Sequence, residues 1–564
     1  MPRTIGIGNQ DFSVIRSRDY FYIDKTAFIK AWWESGDSVT LITRPRRFGK
    51  TLTMSMVEQF FSVKYAGRGE WFEGLEIWNE ETYWNLQGSY PVISLTFANV
   101  KERNLQMTKQ RIGQILTDLY NKNIYLLKGD LLTEEEKAYF LSVSTNMDET
   151  TATLAIHKMS DFLCRYYGKK VIILLDEYDT PMQEAYVNGF WDELVSYMRS
   201  MFNASFKTNP YLDRALMTGI TRVSKESVFS DLNNLEVVTT TSLKYTDVFG
   251  FTEKEVFSAL DEYGLSEEKD IVKYWYDGFT FGNQRDIYNP WSIINYLDKR
   301  QVGPHWANTS SNSLAGKLIR EGTGEIKEAF KGLLNGGSVV TEIDEQIVYN
   351  QLNLDESAIW SLLLASGYLK VKSYEIRSSQ FGEWKQIYEL ELTNFEVKVM
   401  FRNMVRSWFA SSASNYNDFI KALMLDDLDA MNVYMNRVAL ATFSYFDVGD
   451  KPSDEAEPER FYHGFVLGLM VDLTDQYAVI SNRESGFGRY DVMLEPRRPE
   501  LDAVILEFKV FNPRKEKCLE DTVEAALAQI ENKKYAKALE EKGIPAEKIR
   551  RYGFAFRGKQ VLIG

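Results

Sequence analysis

Val39-Thr40-Leu41-Ile42 runs into Thr43-Arg44-Pro45-Arg46-Arg47-Phe48-Gly49-Lys50-Thr51, and the reading of these residues decides the fold. A short apolar, β-branched run predicts a buried strand. Leu52-Thr53-Met54-Ser55-Met56-Val57 then predicts a helix. Strand, loop, Gly-Lys-Thr and helix are the setting of a phosphate-binding P-loop. Backbone N–H groups at the helix N-terminus would face the phosphates, where the helix dipole favours an anion. Lys50 would add a point charge, and the Thr51 hydroxyl would bind Mg²⁺. The full motif has glycine five residues before Gly49, where this chain has Arg44, and Pro45 stiffens the turn. A bare Gly-Lys-Thr also suits a basic, solvated loop between a core strand and a core helix, so the remainder of the chain has to decide.

The chain has 564 residues, enough for two to four domains. It is 44% hydrophobic, 26% charged and 14% aromatic, which fits a globular protein and argues against disorder. Its two cysteines, Cys164 and Cys518, rule out a disulfide framework or a thiolate zinc cluster and suit a reducing, cytoplasmic compartment. The N-terminal residues lack an apolar h-region, so no secretion signal is expected, and no segment has the apolar length of a membrane span. A net charge of −14 weighs against nucleic-acid binding by the overall field and would require a local basic patch.

Further strands are predicted at Pro91–Phe97, Val171–Leu175 and Arg214–Ile220, with helical regions near Thr108–Leu127 and Glu134–Tyr167 between them. Continuous apolar strands alternating with helices predict a parallel sheet covered on both faces, with ligands at the carboxyl ends of its strands. The Gly-Lys-Thr loop sits at one such end. Asp176-Glu177-Tyr178-Asp179 sits at another, directly after Val171–Leu175. An apolar strand ending in Asp-Glu is the Walker B pattern. Asp176 would hold Mg²⁺, and Glu177 would orient or deprotonate the attacking water. The plainer role for Asp176 is a helix N-cap. Loop and carboxylates together, in this order in one α/β domain, point to ATP or GTP. From about residue 240 to 400 the pattern is helical and connecting, with a capping box at Thr252 and Glu255, Pro290 opening a helix, and a hairpin around Tyr368–Ile376 and Gln386–Leu392.

The far end carries a second cluster. Glu459–Leu469 predicts a buried helix, and Tyr477–Ser481, Arg489–Leu494 and Ala503–Val510 predict strands. Glu507 and Lys509 interrupt the last apolar run and share one strand face. Burying both needs a reason, although a solvated Glu–Lys pair is the simpler account. A hairpin would put Asp491 beside Glu507. Two carboxylates and a lysine form a divalent-metal site suited to activating water against a phosphodiester. A helix is expected over Asp521–Leu539. The basic, aromatic stretch Arg550–Lys559 is either a nucleic-acid patch or an ordinary solvated face.

Phe21-Tyr22-Ile23-Asp24-Lys25-Thr26, the Arg44–Thr51 loop and Leu175–Asp179 resemble the bacterial AAA-ATPase-like family, in which this arginine-bearing form of the P-loop is normal. Thr218-Gly219-Ile220-Thr221-Arg222 resembles its sensor strand, which in this class lies between the other two site strands. The resemblance implies that Thr221 or Arg222 senses the γ-phosphate, with Arg47, Phe48, Gly49, Lys50 and Thr51 binding nucleotide. The tail resembles the PD-(D/E)XK nuclease superfamily. Asp491 matches the motif aspartate, Glu507-Phe508-Lys509 the tripeptide, Glu459 the upstream helical glutamate, and Gln529 with Tyr535 the accompanying Gln-Tyr helix.

The expected architecture is α/β throughout. It has a P-loop NTPase parallel sheet at 1–235, a helical lid or connector at 236–400, and a restriction-endonuclease-like domain at 401–564. The expected function joins a Mg²⁺-dependent ATPase to a Mg²⁺- or Mn²⁺-dependent nuclease acting on nucleic acid, DNA before RNA, in a protein without a membrane anchor and open to oligomerisation. Thr51 and Asp176 would share one metal, and Glu459, Asp491 and Glu507 another, with Lys509 stabilising the developing charge. The rival is a nucleotide-controlled binding switch whose nuclease fold grips nucleic acid or protein without cutting. A kinase is disfavoured because Glu177 beside Asp176 suits water activation.

Overall fold

The computed structural model describes residues 2–222, 229, 232–307, 313–344, 356–378, 384–410, 413–446, 456–483 and 490–564. Within these, the chain divides into two compact units. The first is Met1–Ser311 with Val340–Val397, and the second is Asn312–Val339 with Lys398–Gly564. The expected connector is therefore shared, with 236–311 and 340–397 folding into the first unit and 312–339 into the second.

The first unit is organised by a five-stranded sheet of β1 (Val39–Thr43), β2 (Val92–Thr96), β3 (Val171–Asp176), β4 (Leu212–Gly219) and β5 (Leu235–Val238), in the order β2-β3-β4-β1-β5. Every pairing is parallel. β1 and β3 are buried along their whole length, as strands covered on both faces must be. β4 lies between β1 and β3, so the loop after β1, the carboxylates after β3 and Thr218 at the end of β4 are neighbours. β5 was not expected. It is a short edge strand, Leu-Glu-Val-Val, with only Val238 buried, and too weak a pattern to stand out in sequence.

The covering helices deviate from expectation at their ends. The region predicted as one helix from Glu134 is two, Glu134–Ser142 and Glu149–Tyr167. The second starts afresh because the Asp148 side chain accepts the Thr151 amide, while Thr133 and Glu136 form a capping box on the first. The Thr252–Glu255 capping box and the Asn289-capped helix Pro290–Lys299 form as expected. The hairpin is Leu369–Ser378 against Trp384–Leu392, antiparallel.

Arg44 is the floor of this unit. It is 0% exposed. Its guanidinium donates to the carbonyls of Thr43 (2.9 Å), Thr239 (2.7 Å) and Tyr245 (3.4 Å) and lies 4.5 Å from the Phe281 ring centroid. A planar, multi-donor cation that stacks on rings suits such a place, where lysine would leave acceptors unmet.

The second unit is built on β6 (Tyr477–Arg483), β7 (Tyr490–Pro496), β8 (Ala503–Val510), β9 (Ile549–Arg557) and β10 (Gln560–Ile563), adjacent in that order. Only β8–β9 is parallel. Ala503 and Ile505 of β8 form a core with Ile530 and Leu539 on one face. Phe508 faces the other way, 4.8 Å from Tyr462 and 4.6 Å from Phe554. The helix expected over Asp521–Leu539 breaks into Leu519–Asn532 and Tyr535–Glu540, where Lys534 turns to φ 55°. The basic tail is the inner strand β9, and two of its three arginines are in ion pairs, Arg550 with Asp502 and Arg551 with Glu531 at 3.0 Å, while the exposed Arg557 donates to Gln560. Among the described residues no helix is long and apolar enough to cross a membrane.

Arg44→Ala should lower the stability of the first unit by about 2–4 kcal/mol, since it strips the Thr239 and Tyr245 carbonyls of a buried donor. Urea unfolding followed by tryptophan fluorescence checks this, and a loss below about 0.5 kcal/mol would contradict it.

Candidate functional site

The loop after β1 turns into the helix Lys50–Phe61 at Gly49, whose φ is 82°. Arg47 also takes a positive φ, 64°, which is uncommon for a residue with a Cβ. Two left-handed residues so close together curl the backbone into a concave, anion-favouring turn at a helix N-terminus that no side chain caps. Phe48 anchors that turn. Its ring is 1% exposed and lies edge-on to Phe279 at 4.7 Å and Phe281 at 5.4 Å. The exposed Arg47 guanidinium sits 4.5 Å above the Trp291 ring.

Lys50 folds back over the loop and donates to the carbonyls of Arg44 and Pro45, both at 2.8 Å. Burial lowers its pKa, while the Glu177, Asp176 and Asp179 carboxylates oppose that shift. Thr51 donates its hydroxyl to Asp176 Oδ2 at 2.7 Å. Thr218 from the intervening β4 donates to Asp176 Oδ1. Burial pushes the Asp176 pKa up, and these two hydroxyls pull it back. Glu177 stands at φ 51°, its amide 3.4 Å from Thr218 Oγ1 and its carboxylate accepting from Thr180 at 3.2 Å.

Above these groups is a cavity of about 370 Å³. The loop from Arg46 to Thr53, Glu177 and Thr180 line one end. Ile5–Gln10, Tyr20–Ile23, Val248, Phe251, Pro290, Trp291 and Ile294 line the rest, with Lys25 and Lys101 among them. A lining that joins charged and hydroxyl groups to apolar and aromatic ones suits a ligand that is part polyanion and part flat ring. The sequence-predicted residues Arg47, Phe48, Gly49, Lys50, Thr51 and Glu177 all line it. Asp176 lies just behind, held by Thr51. Thr221 and Arg222 do not line it. Thr221 is 0% exposed and turned onto Asp179, while Arg222 lines a separate cavity of about 130 Å³ with Leu232 and Leu235.

Several contributors were not read from the sequence. Asn289 donates to the Arg46 carbonyl at 3.3 Å, and the Trp306 indole does so at 3.0 Å. Glu396 ties that support together. Its buried carboxylate accepts from Ser292 (2.8 Å) and from the amides of Trp306 (2.6 Å) and Ala307 (3.3 Å). These residues lie some 240 to 350 positions from the loop by subtraction of residue numbers (289 − 46 = 243, 396 − 46 = 350), beyond the reach of any local pattern.

In the second unit, Glu507 and Lys509 share the β8 face covered by the helix Leu519–Asn532. Glu507 is 0% exposed, and Lys509 donates to the Ala525 carbonyl at 2.9 Å. Gln529 of that helix is buried at 8% exposure, and Tyr535 begins the next helix. Asp491 of β7 stands opposite Glu507 in the antiparallel register. Glu459 lies in the helix Ala456–Leu473, whose Tyr462 and Phe465 cover the Phe508 face. The side chains of Asp491 and Glu459 lie outside the described residues.

Residues 6–229 match the family model of a predicted AAA-ATPase, and residues 457–564 match that of the PD-(D/E)XK nuclease superfamily. The chain is 25% identical over 401 residues to an uncharacterized protein in the vnfD 5′ region of Azotobacter chroococcum mcd 1, covering 70% of this chain and 68% of that protein. An AAA-ATPase-like domain followed by a PD-(D/E)XK nuclease superfamily domain is therefore what this chain carries.

Burial raises the Glu396 pKa from 4.5 to about 7, although three donors favour its charged form. Because the folded-state value is the higher one, the folded protein binds this proton more tightly. The stability it contributes is full below about pH 4.5 and is lost as pH rises through about 7. The loss should be on the order of 3 kcal/mol, and Glu396→Gln should flatten it. Urea unfolding at pH 5 and pH 8 reads the difference, and an equal decline in both proteins would refute it.

Proposed function

We propose that the first unit binds and hydrolyses ATP and that the second is a metal-dependent nuclease acting on nucleic acid, DNA before RNA. The observation that carries the ATPase reading is the convergence of Lys50, Thr51 and Glu177 on one cavity of about 370 Å³, with Asp176 held directly behind them by Thr51. Lys50 neutralises β- and γ-phosphate charge, and loop amides orient the chain of phosphates. Thr51 and Asp176 offer a hydroxyl and a carboxylate 2.7 Å apart, hard oxygen donors that suit Mg²⁺. When bound, the metal supplies electrostatic stabilisation of charge on the transferred phosphoryl group. Glu177, held off the strand by its left-handed backbone, orients the attacking water and accepts its proton.

At the second site, Glu507 in the core of a strand, opposite Asp491 and two residues from Lys509, supports the nuclease reading. A carboxylate buried this deeply is costly unless something compensates it. Glu507 and Asp491 are the ligands for Mg²⁺ or Mn²⁺, helped by Glu459. Lys509 stabilises negative charge developing on the phosphate.

A switch that grips nucleic acid or protein without cutting remains the rival, and the pairing of Arg550 and Arg551 with carboxylates favours it by neutralising two of the three β9 arginines. Incubating the purified protein with plasmid and with RNA, plus Mg²⁺ or Mn²⁺, with and without ATP, separates the two. Lys50→Ala should reduce ATP turnover by at least about 100-fold, and Asp491→Ala should abolish cleavage to a similar degree. Cleavage that persists in Asp491→Ala sinks the nuclease assignment. Binding without cutting under both metals supports the switch.

A further inference from the structure

Asp179 ends the segment Asp176–Asp179, yet its side chain takes no part in capping the helix Thr180–Asn188 that begins beside it. It is 1% exposed. Its Oδ2 accepts the amides of Ile220 and Thr221, both at 2.9 Å, and the Thr221 hydroxyl at 3.0 Å. The Gln183 side-chain amide adds a fourth donor at 3.2 Å, and the Gln183 carbonyl oxygen in turn faces Arg46 of the phosphate loop at 3.4 Å. The clasp is doubled by Tyr178, whose amide donates to the Thr218 carbonyl at 3.0 Å and whose hydroxyl donates to the Thr221 carbonyl at 2.8 Å. Between them Gly219 has no room for a side chain. A Cβ there would sit 2.7 Å from the Tyr178 ring and 2.8 Å from Asp179 Oδ1.

Keeping a buried carboxylate here is expensive, and a capping role does not account for it. What the carboxylate does is fix a turn. Ile220–Arg222 follows directly on Thr218, whose hydroxyl holds Asp176. We infer that Asp179 is a positioning residue that clasps the turn Ile220–Arg222 to the Asp176–Asp179 segment and, through Gln183, to the phosphate loop, and that ATP turnover depends on this clasp far more than ATP binding does. The inference rests on the ATPase reading above. On that reading the nucleotide is held by the loop and Lys50, which Asp179 reaches only through Gln183 and through the field of its carboxylate. Hydrolysis depends on where Asp176 and Glu177 stand relative to them, and small displacements of catalytic groups cost rate more than affinity.

The clasp itself rests on hydrogen-bond geometry, because asparagine keeps an oxygen for both amides and the Thr221 hydroxyl, while the Asp176 and Glu177 carboxylates remain in the field around Lys50. In full-length protein, Asp179→Ala should lower kcat for ATP by roughly 10- to 100-fold while the Kd for a fluorescent, non-hydrolysable ATP analogue stays within about 3-fold. Asp179→Asn should restore kcat to within about 5-fold of the parent. Amide hydrogen exchange of peptides spanning 217–222 should speed up in Asp179→Ala and return in Asp179→Asn. Parallel losses of kcat and affinity in both variants, or unchanged exchange in Asp179→Ala, would overturn the clasp. Failure of the parent protein to hydrolyse ATP would instead overturn the ATPase reading, with the exchange measurement still deciding the clasp. If Asp179→Ala does not fold, a turnover defect in Asp179→Asn as large as that of Lys50→Ala would show that charge matters and refute the inference.

Discussion

A guanidinium enclosed beneath the phosphate loop is the constraint on which the first unit turns. Arg44 occupies the place where the common form of the loop has glycine, and it is fully buried there. A charge removed from water must be met by dipoles or lost. Arg44 is met by three backbone carbonyls and the faces of Phe249 and Phe281. Those carbonyls come from the loop itself and from the chain just beyond β5. One side chain thus fixes the loop to the sheet edge and to the aromatic roof that also holds Phe48.

The same economy of parts governs the acidic side of the cavity. Because β4 runs between β1 and β3, a threonine hydroxyl from β4 and another from the loop helix reach the two oxygens of Asp176 from opposite sides. Lys50 is held by loop carbonyls at 2.8 Å, within the field of three carboxylates. Oxygen and nitrogen donors so arranged need little reorganisation when charge arrives, which is the main way a protein stabilises a transferring phosphoryl group.

Strands β1 and β3 were legible in the sequence because they are buried on both faces and read as short apolar runs, and β8 because its apolar run is broken only by Glu507 and Lys509. β5, with one buried residue, was not. The Gly-Lys-Thr loop and the Asp-Glu strand end were legible because their chemistry is local. Arg44 departs from the common glycine, which the family resemblance made normal, but its role was not legible because its partners lie at Thr239, Tyr245 and Phe281. Thr221 was, with Arg222, one of two sensor candidates, yet its hydroxyl is spent on Asp179. Nothing in its neighbours announced that, since a hydroxyl's partner is set by tertiary geometry. Glu396 was silent for the same reason. Asp491 and Glu507 were found by assuming a hairpin, and the register puts them opposite each other.

The interleaving of the two units bears on how the chain is made. Synthesis delivers residues 312–339 before the first unit has its last segment, Val340–Val397, and long before their own partners from Lys398 onward. The helix Gly324–Leu334 therefore leaves the ribosome with Ile326, Phe330 and Leu333 destined for a core that does not yet exist, since Phe330 meets Phe401 only later, at 4.9 Å between ring centroids. Each unit can be completed only after the other has begun to emerge, and apolar side chains such as Phe330 wait for partners made later, the kind of exposure that chaperones recognise.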